Sequence, residues 1–162
     1  MKNLVRQMIG RFPVRMLTGL IMILLEGISR MWSVLRAAAL FPGPNRPICH
    51  WSAQVKYPKR MTFGKGVIIG PHAVLGGAGG IVFGDGVRIS EGVVVETASL
   101  DVSGDPPYVH RTRPIAIGEG VWLCTRCIVL GGVTIGRRAI IGAGAVIDRD
   151  VGEWEKVRQR PR

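Results

Sequence analysis

The feature that most constrains this chain is a period of six. From Ile117 the sequence divides into Ile117–Trp122, Leu123–Ile128, Val129–Thr134, Ile135–Ile140, Ile141–Val146 and Ile147–Gly152. Every unit opens on Ile, Leu or Val, and every fifth position is Val, Ala or Cys. Six consecutive matches leave little room for coincidence. The same frame opens earlier units at Phe63, Ile69 and Leu75, with Val67 and Ala73 fifth. Two extra residues follow, and the frame resumes at Phe83, Ile89 and Val95. Counting back by six from Phe63 extends it to Tyr57 and Trp51. From Val95 to Ile117 the step is 22, three sixes plus four, so an insertion near residues 100–113 is expected.

A six-residue unit is too short for a helix. It fits one short strand and a turn, and three units make one coil of about 18 residues. The large first residue points inward and stacks on the coils above and below, and the small fifth residue fits the crowded interior. Adjacent coils pair their backbones, so the core is a stack rather than a globule. Glycine, 23 of 162 residues, suits the turns of such a stack. The frame predicts an all-β, parallel β-helix over residues 45–152.

The remaining chain has different physics. Residues 1–60 carry ten Lys or Arg against the single acid Glu26, residues 61–152 are neutral, and 153–162 carry +2 of the chain's +11. Phe12 to Phe41 is mostly apolar, with Pro42-Gly43-Pro44 as its stop. The longest uncharged run, Met16 to Leu25, has ten residues, against about 20 for a bilayer crossing. Thr18, Met22, Glu26, Ser29, Ser33 and Arg36 recur at helical spacing as a narrow polar stripe, and Glu26 and Arg30 are placed to pair. Residues 1–44 therefore read as an N-terminal amphipathic α-helical segment, and 153–162 as a basic tail. Three roles fit the segment: a helix packed on the coils or on another subunit, an interfacial membrane helix with basic flanks, or a signal peptide with small residues at Ala37–Ala39. The basic ends lack interleaved aromatics, so nucleic acid is not expected as a partner.

The residues carry a family resemblance. Pro114–Leu123 (Pro-Ile-Ala-Ile-Gly-Glu-Gly-Val-Trp-Leu), followed by Gly131–Gly136 and Ile140–Val146, resembles the hexapeptide-repeat acyltransferases, and within them the sugar and polysaccharide O-acetyltransferase branch of the maltose and galactoside enzymes. The resemblance covers about residues 51–152. It implies a left-handed parallel β-helix and a homotrimer whose sites lie between subunits. It also implies transfer of an acyl group from acetyl-CoA to a hydroxyl of a sugar or surface polysaccharide, without a metal. A catalytically inactive trimeric scaffold or partner subunit is the alternative. A cytoplasmic location is expected, with contact at the inner face of the membrane through the N-terminal helix as one option.

In that branch a histidine serves as general base, a role suited to an imidazole. The stretch that bears it corresponds here to Val95–Asp101, and Leu100 occupies the histidine's place. Two acceptor-binding polar positions fall on Gly70 and Ala78. His110, inside the insertion, is the replacement candidate, with Asp101 or Asp105 to orient its ring and contact the acceptor. His72, at a coil turn, and His50, before the coils, are weaker candidates. The positions implied for CoA are Thr125 and Ala143 along the pantetheine arm and Arg149 near the phosphates. Trp122 either lines the cleft or packs between subunits. Cys124 and Cys127 form a lone Cys-x-x-Cys, but the frame puts them in slots usually held by Gly or Ala, so core packing is expected rather than metal or redox use.

Overall fold

The computed structural model describes residues 12–41 and 43–159. Its body is a β-solenoid of about six turns with three parallel faces. The first face stacks six strands: Ile48–Cys49, Ile68–Ile69, Arg88–Ile89, Trp122–Leu123, Ile140–Ile141 and Lys156–Val157. The second stacks Gln54–Lys56, Val74–Gly76, Val94–Glu96, Ile128–Leu130 and Val146–Ile147. The third stacks Met61–Phe63, Ile81–Phe83, Ile115–Ile117 and Thr134–Ile135, with Val151 bridged to Ile135.

Strands of two or three residues have no stability of their own. Each is held by the coils on either side: Ile68 N–H donates to Val87 O at 3.0 Å, and Arg88 N–H to Val121 O at 2.9 Å. The predicted inward positions supply the rest. Leu123, Val129 and Ile141, first in their units, and Val121, Cys127 and Ala139, fifth in theirs, are all 0% exposed. Full burial of one such aliphatic is worth about 1.5–3 kcal/mol. The coils approach closely at the corner between the third and first faces. A Cβ on Gly118 would lie 2.6 Å from the backbone nitrogen of Arg137 in the next coil, so that corner excludes a side chain.

Two expectations of the frame are corrected. Trp51 and Tyr57 do not occupy inward slots; they are 47% and 57% exposed. In the first coil Cys49 stacks under Ile69, Val55 under Leu75 and Phe63 under Phe83. A 3-10 turn at Pro58–Arg60 lengthens this coil between Val55 and Phe63, so counting back by six from Phe63 lands off the core. At the other end the coils run past residue 152. Glu153 does not carry the frame. Instead Val151 joins the third face beside Ile135, and Val157 pairs under Ile141.

The helix α1 (Phe12–Leu40) meets the open end of the first coil. Ala37 and Phe41 belong to the core, and Phe41 packs edge-on against Phe63 at 4.9 Å, which stacks on Phe83 at 5.0 Å. Ser33 Oγ accepts from the N–H of Trp51 at 3.1 Å, and the Arg36 guanidinium donates to the Trp51 carbonyl. The expected Glu26–Arg30 pair is present at 4.0 Å, but both side chains are exposed, so it contributes little. Met16–Leu40 is long and apolar enough, by length and composition, to cross a membrane, although three charges interrupt it.

Candidate active site

The insertion is a β-hairpin rooted in the solenoid. The chain leaves the second face at Thr97, forms the antiparallel strands Ala98–Asp101 and Val109–Thr112, and returns at Arg113 to the third face. The root is tied from several directions. Arg113 N–H donates to Thr97 O at 2.9 Å. Thr97 is the one buried polar residue among those described, and its hydroxyl accepts from Gly79 N–H at 2.8 Å while donating to Gly76 O. A Cβ on Gly131 would lie 2.7 Å from Thr97 O, so the coil beneath the root excludes a side chain there.

The register of this hairpin places the residues singled out in the sequence. His110 pairs directly with Leu100. Residues opposite one another in an antiparallel pair point their side chains to the same face, with Cβ atoms about 4.5–5.5 Å apart. The imidazole therefore lies beside the side chain that stands in the family's histidine place. Both are exposed, Leu100 at 48%.

Asp101 does not orient that ring. It pairs with Val109, so its side chain takes the opposite face, where its carboxylate contacts Arg111 at 2.9 Å and accepts from the Ser103 hydroxyl at 2.7 Å. The two Ser103 hydrogen bonds, helped by Arg111 and Arg113, hold its carboxyl below the usual aspartate range. Asp105 lies exposed in the hairpin loop, and among the described residues no hydrogen bond or ion pair joins it to His110. Sequence reasoning missed Thr97 and Glu96, the root itself. Glu96 accepts from Ala98 N–H at 3.0 Å, and its carboxylate occupies the space that a Cβ on Gly76 would fill.

The positions implied for CoA divide between two corners. Thr125 and Ala143 are exposed on consecutive coils at the corner joining the first and second faces, where Gly144 N–H donates to Thr125 O at 3.0 Å. Arg149 lies at the corner joining the second and third faces, across the second face from that pair and on the hairpin's side. Its guanidinium is engaged, donating to Asp150 O and to Glu155 Oε1, both at 2.9 Å. Glu155 titrates below the usual glutamate range, first because it accepts from Gly152 N–H and second because of Arg149. Trp122 points outward from the first face, 47% exposed, and its indole N–H donates to Ser90 Oγ at 2.9 Å. A single chain thus presents His110 and Arg149 at one corner and Thr125 and Ala143 at another.

The remaining candidates stand apart. His50, bonded to Ser52 Oγ at 2.8 Å, and His72 sit at the first-to-second corner, away from the hairpin. All three cysteines are free thiols. Burial raises all three, Cys127 to about 12 with the neighbouring Cys124 adding to the effect, so they are protonated and poorly nucleophilic near neutral pH. No cluster of three metal-ligating side chains occurs among the described residues.

Fold and repeat together define a class: a β-solenoid built from transferase-type hexapeptides. The bacterial transferase hexapeptide (six repeats) family matches residues 114–149. The chain carries hexapeptide repeats of that type and is similar in sequence to acetyltransferases that share them. It is 33% identical over 95 residues to a galactoside O-acetyltransferase of Lactococcus lactis, covering 57% of this chain and 46% of that protein. It is 35% identical over 92 residues to a putative colanic acid biosynthesis acetyltransferase of Escherichia coli, covering 57% and 50%. The chain spans about half the length of these curated relatives. Its fold resembles a hexapeptide-repeat acetyltransferase from Vibrio cholerae solved with acetyl-CoA, with a TM-score of 0.69 at 21% identity over 90% of this chain and 83% of the other. A maltose O-acetyltransferase from Clostridium difficile aligns at a TM-score of 0.56 and 25% identity over 61% and 54%.

Proposed function

We propose that the chain is a CoA-dependent O-acyltransferase that moves an acetyl group from acetyl-CoA to a hydroxyl of a sugar or surface polysaccharide, with His110 as general base. The observation that carries this reading is the pairing of His110 with Leu100. The hairpin delivers an imidazole next to the place where the sugar-acetylating branch keeps its own. The relatives' activities support the substrate class: a galactoside enzyme and a putative colanic acid enzyme are both O- or polysaccharide-directed acetyltransferases by name.

The residues present suit acetyl-CoA as co-substrate. The Thr125–Ala143 edge is exposed and carries small side chains, leaving room for an extended pantetheine arm. Arg149 offers a guanidinium for phosphate, in competition with Glu155. Acetyl-CoA supplies the activated carbonyl as a thioester. His110 takes the proton from the acceptor hydroxyl as its oxygen bonds to that carbonyl carbon. When the C–S bond breaks, the imidazolium returns the proton to the departing sulfur. Products are the acetyl ester and free CoA, and the histidine ends neutral as it began. Asp101, turned away and paired with Arg111, holds the hairpin's shape rather than the ring.

Because Thr125 and Ala143 stand a face away from His110, the reading includes a second copy that completes the cleft. The outer side of the second face offers a contact surface. Val74, Val94, Ile128 and Val146 stack in register there as an apolar stripe, and the reading assigns it to a homotrimer interface. The test is CoA release by purified protein with acetyl-CoA and a panel of glycans, beside His110→Ala and a sedimentation measurement. Loss of release in the variant with assembly unchanged supports the reading. Equal release by both forms removes His110 as base, and no acetyl-CoA binding by the unaltered chain favours a scaffold role.

A further inference from the structure

The helix α1 packs in the reverse of the usual sense for a water-soluble protein. The part of its polar stripe nearest the coils, Ser29, Ser33 and Arg36, is half-buried against the solenoid, with Ser33 and Arg36 bonded to the Trp51 backbone. The opposite side carries Leu17, Leu20, Leu24, Ile28, Met31 and Leu35, spaced by three or four residues and each 55–59% exposed. A helix face of this kind is ordinarily buried. Here the solenoid takes the polar side and leaves the apolar side outward.

Charge indicates what covers it. Lys2, Arg6, Arg11 and Arg15 precede the apolar run, Arg30 and Arg36 follow it, and Glu26 is the single acid in the first 60 residues. Arg30 and Arg46 also line the groove of 510 Å³ between the helix and the first coils. Four cations on the approach to an apolar stripe match an anionic lipid surface, which offers both hydrocarbon and negative headgroups. Met16–Leu40, about 37 Å at 1.5 Å per residue, has the length to span the ~30 Å hydrocarbon core, but a crossing would draw Glu26, Arg30 and Arg36 into hydrocarbon and part Ser33 and Arg36 from the Trp51 backbone. A helix lying in the plane of the interface turns these six residues, Leu17 to Leu35, toward hydrocarbon and keeps Ser29, Ser33, Arg36 and the solenoid on the water side.

We propose that α1 is an in-plane anchor for an anionic phospholipid membrane, holding the solenoid on its surface through Leu17, Leu20, Leu24, Ile28, Met31 and Leu35. This stands independently of the acyltransfer reading. The test is flotation of the full chain with vesicles of phosphatidylethanolamine and phosphatidylglycerol, and with phosphatidylcholine alone. The full chain floats with the anionic vesicles, less so in high salt, and the emission of Trp32, assigned by comparison with Trp32→Phe, shifts to the blue. Leu24→Glu and Met31→Glu, at exposed sites, leave thermal unfolding of the coils unchanged and weaken binding by about 10- to 100-fold each. Replacing Lys2, Arg6 and Arg11 with Gln weakens binding to the anionic vesicles selectively. Failure of the full chain to float overturns the proposal. So does a water-soluble oligomer that the Leu24→Glu change dissociates while lipid has no effect, since a second copy would then cover the face.

Discussion

The three corners of the solenoid do not behave alike. From the first face to the second, the inward residues step by six in each complete coil: Cys49 to Val55, Ile69 to Leu75, Ile89 to Val95, Leu123 to Val129, Ile141 to Ile147. From the third face back to the first they also step by six: Phe63 to Ile69, Phe83 to Ile89, Ile117 to Leu123, Ile135 to Ile141, Val151 to Val157. All length variation falls at the corner between the second and third faces. There the steps are eight, eight, 22, six and four residues: Val55 to Phe63, Leu75 to Phe83, Val95 to Ile117, Val129 to Ile135, Ile147 to Val151. Two corners keep one length through every coil, with close backbone stacking at Gly118 in one and Gly70 in the other. The third is free to vary, and the candidate base is displayed there. Rigid elements presenting a variable loop are a common arrangement for binding and catalysis.

Removing the variable corner separates the two kinds of region most directly. Thr97 and Arg113 are already joined by a 2.9 Å hydrogen bond, so residues 98–112 can be replaced by two glycines. Catalysis is expected to fall to background while the thermal midpoint moves by no more than about 5 °C. A collapse of the coils would show that the third corner is structural after all. Next in size, His110→Ala lowers the rate of CoA release by about 10²- to 10⁴-fold. Adding Leu100→His to that variant restores part of the loss, because the two positions share one face of the hairpin.

A smaller effect compares the same insult at two corners. Gly118→Ala drives a Cβ to 2.6 Å from Arg137 N, and Gly131→Ala drives one to 2.7 Å from Thr97 O. The first is expected to lower global stability by about 1–3 kcal/mol. The second relaxes by lifting the hairpin root, with faster hydrogen exchange at Arg113 N–H and a global change below about 1 kcal/mol. Equal global losses in denaturant titrations would erase the distinction. The smallest effect concerns acid. Asp101 titrates below an unfolded aspartate, so its contribution to hairpin order is complete above about pH 4 and fades as pH falls through its lower folded value. The Ser103 amide resonance should report this in acid, and Asp101→Asn should abolish the pH dependence.

The regular corners were legible in the sequence because a stack exposes its period. Inward aliphatics recur at fixed spacing, so the coils from Ile117 to Ile147 could be read residue by residue. Trp51 and Tyr57 were misplaced because a six-residue count cannot register the turn at Pro58–Arg60. The extension to Val157 was hidden by a coil two residues short. The hairpin was legible as an interruption but not as a structure. Its strands, Ala98–Asp101 and Val109–Thr112, lack a buried face and so carry no alternating apolar pattern. Register came instead from contacts at Thr97, whose partners are distant in sequence. That is why His110 and Leu100 could each be named in advance while their pairing, and the diversion of Asp101 to Arg111, could not. The polar stripe of α1 was also visible, but not that the solenoid would take it.

The aromatic column at the N-terminal end has a consequence for assembly. A stack of parallel coils is a polymer in principle. Its terminal strands can template another copy, and head-to-tail addition without closure yields filaments. Phe41 and the last turn of α1 cover that opening over Phe63. The helix end thereby works as a chain terminator at the N-terminal end of the solenoid.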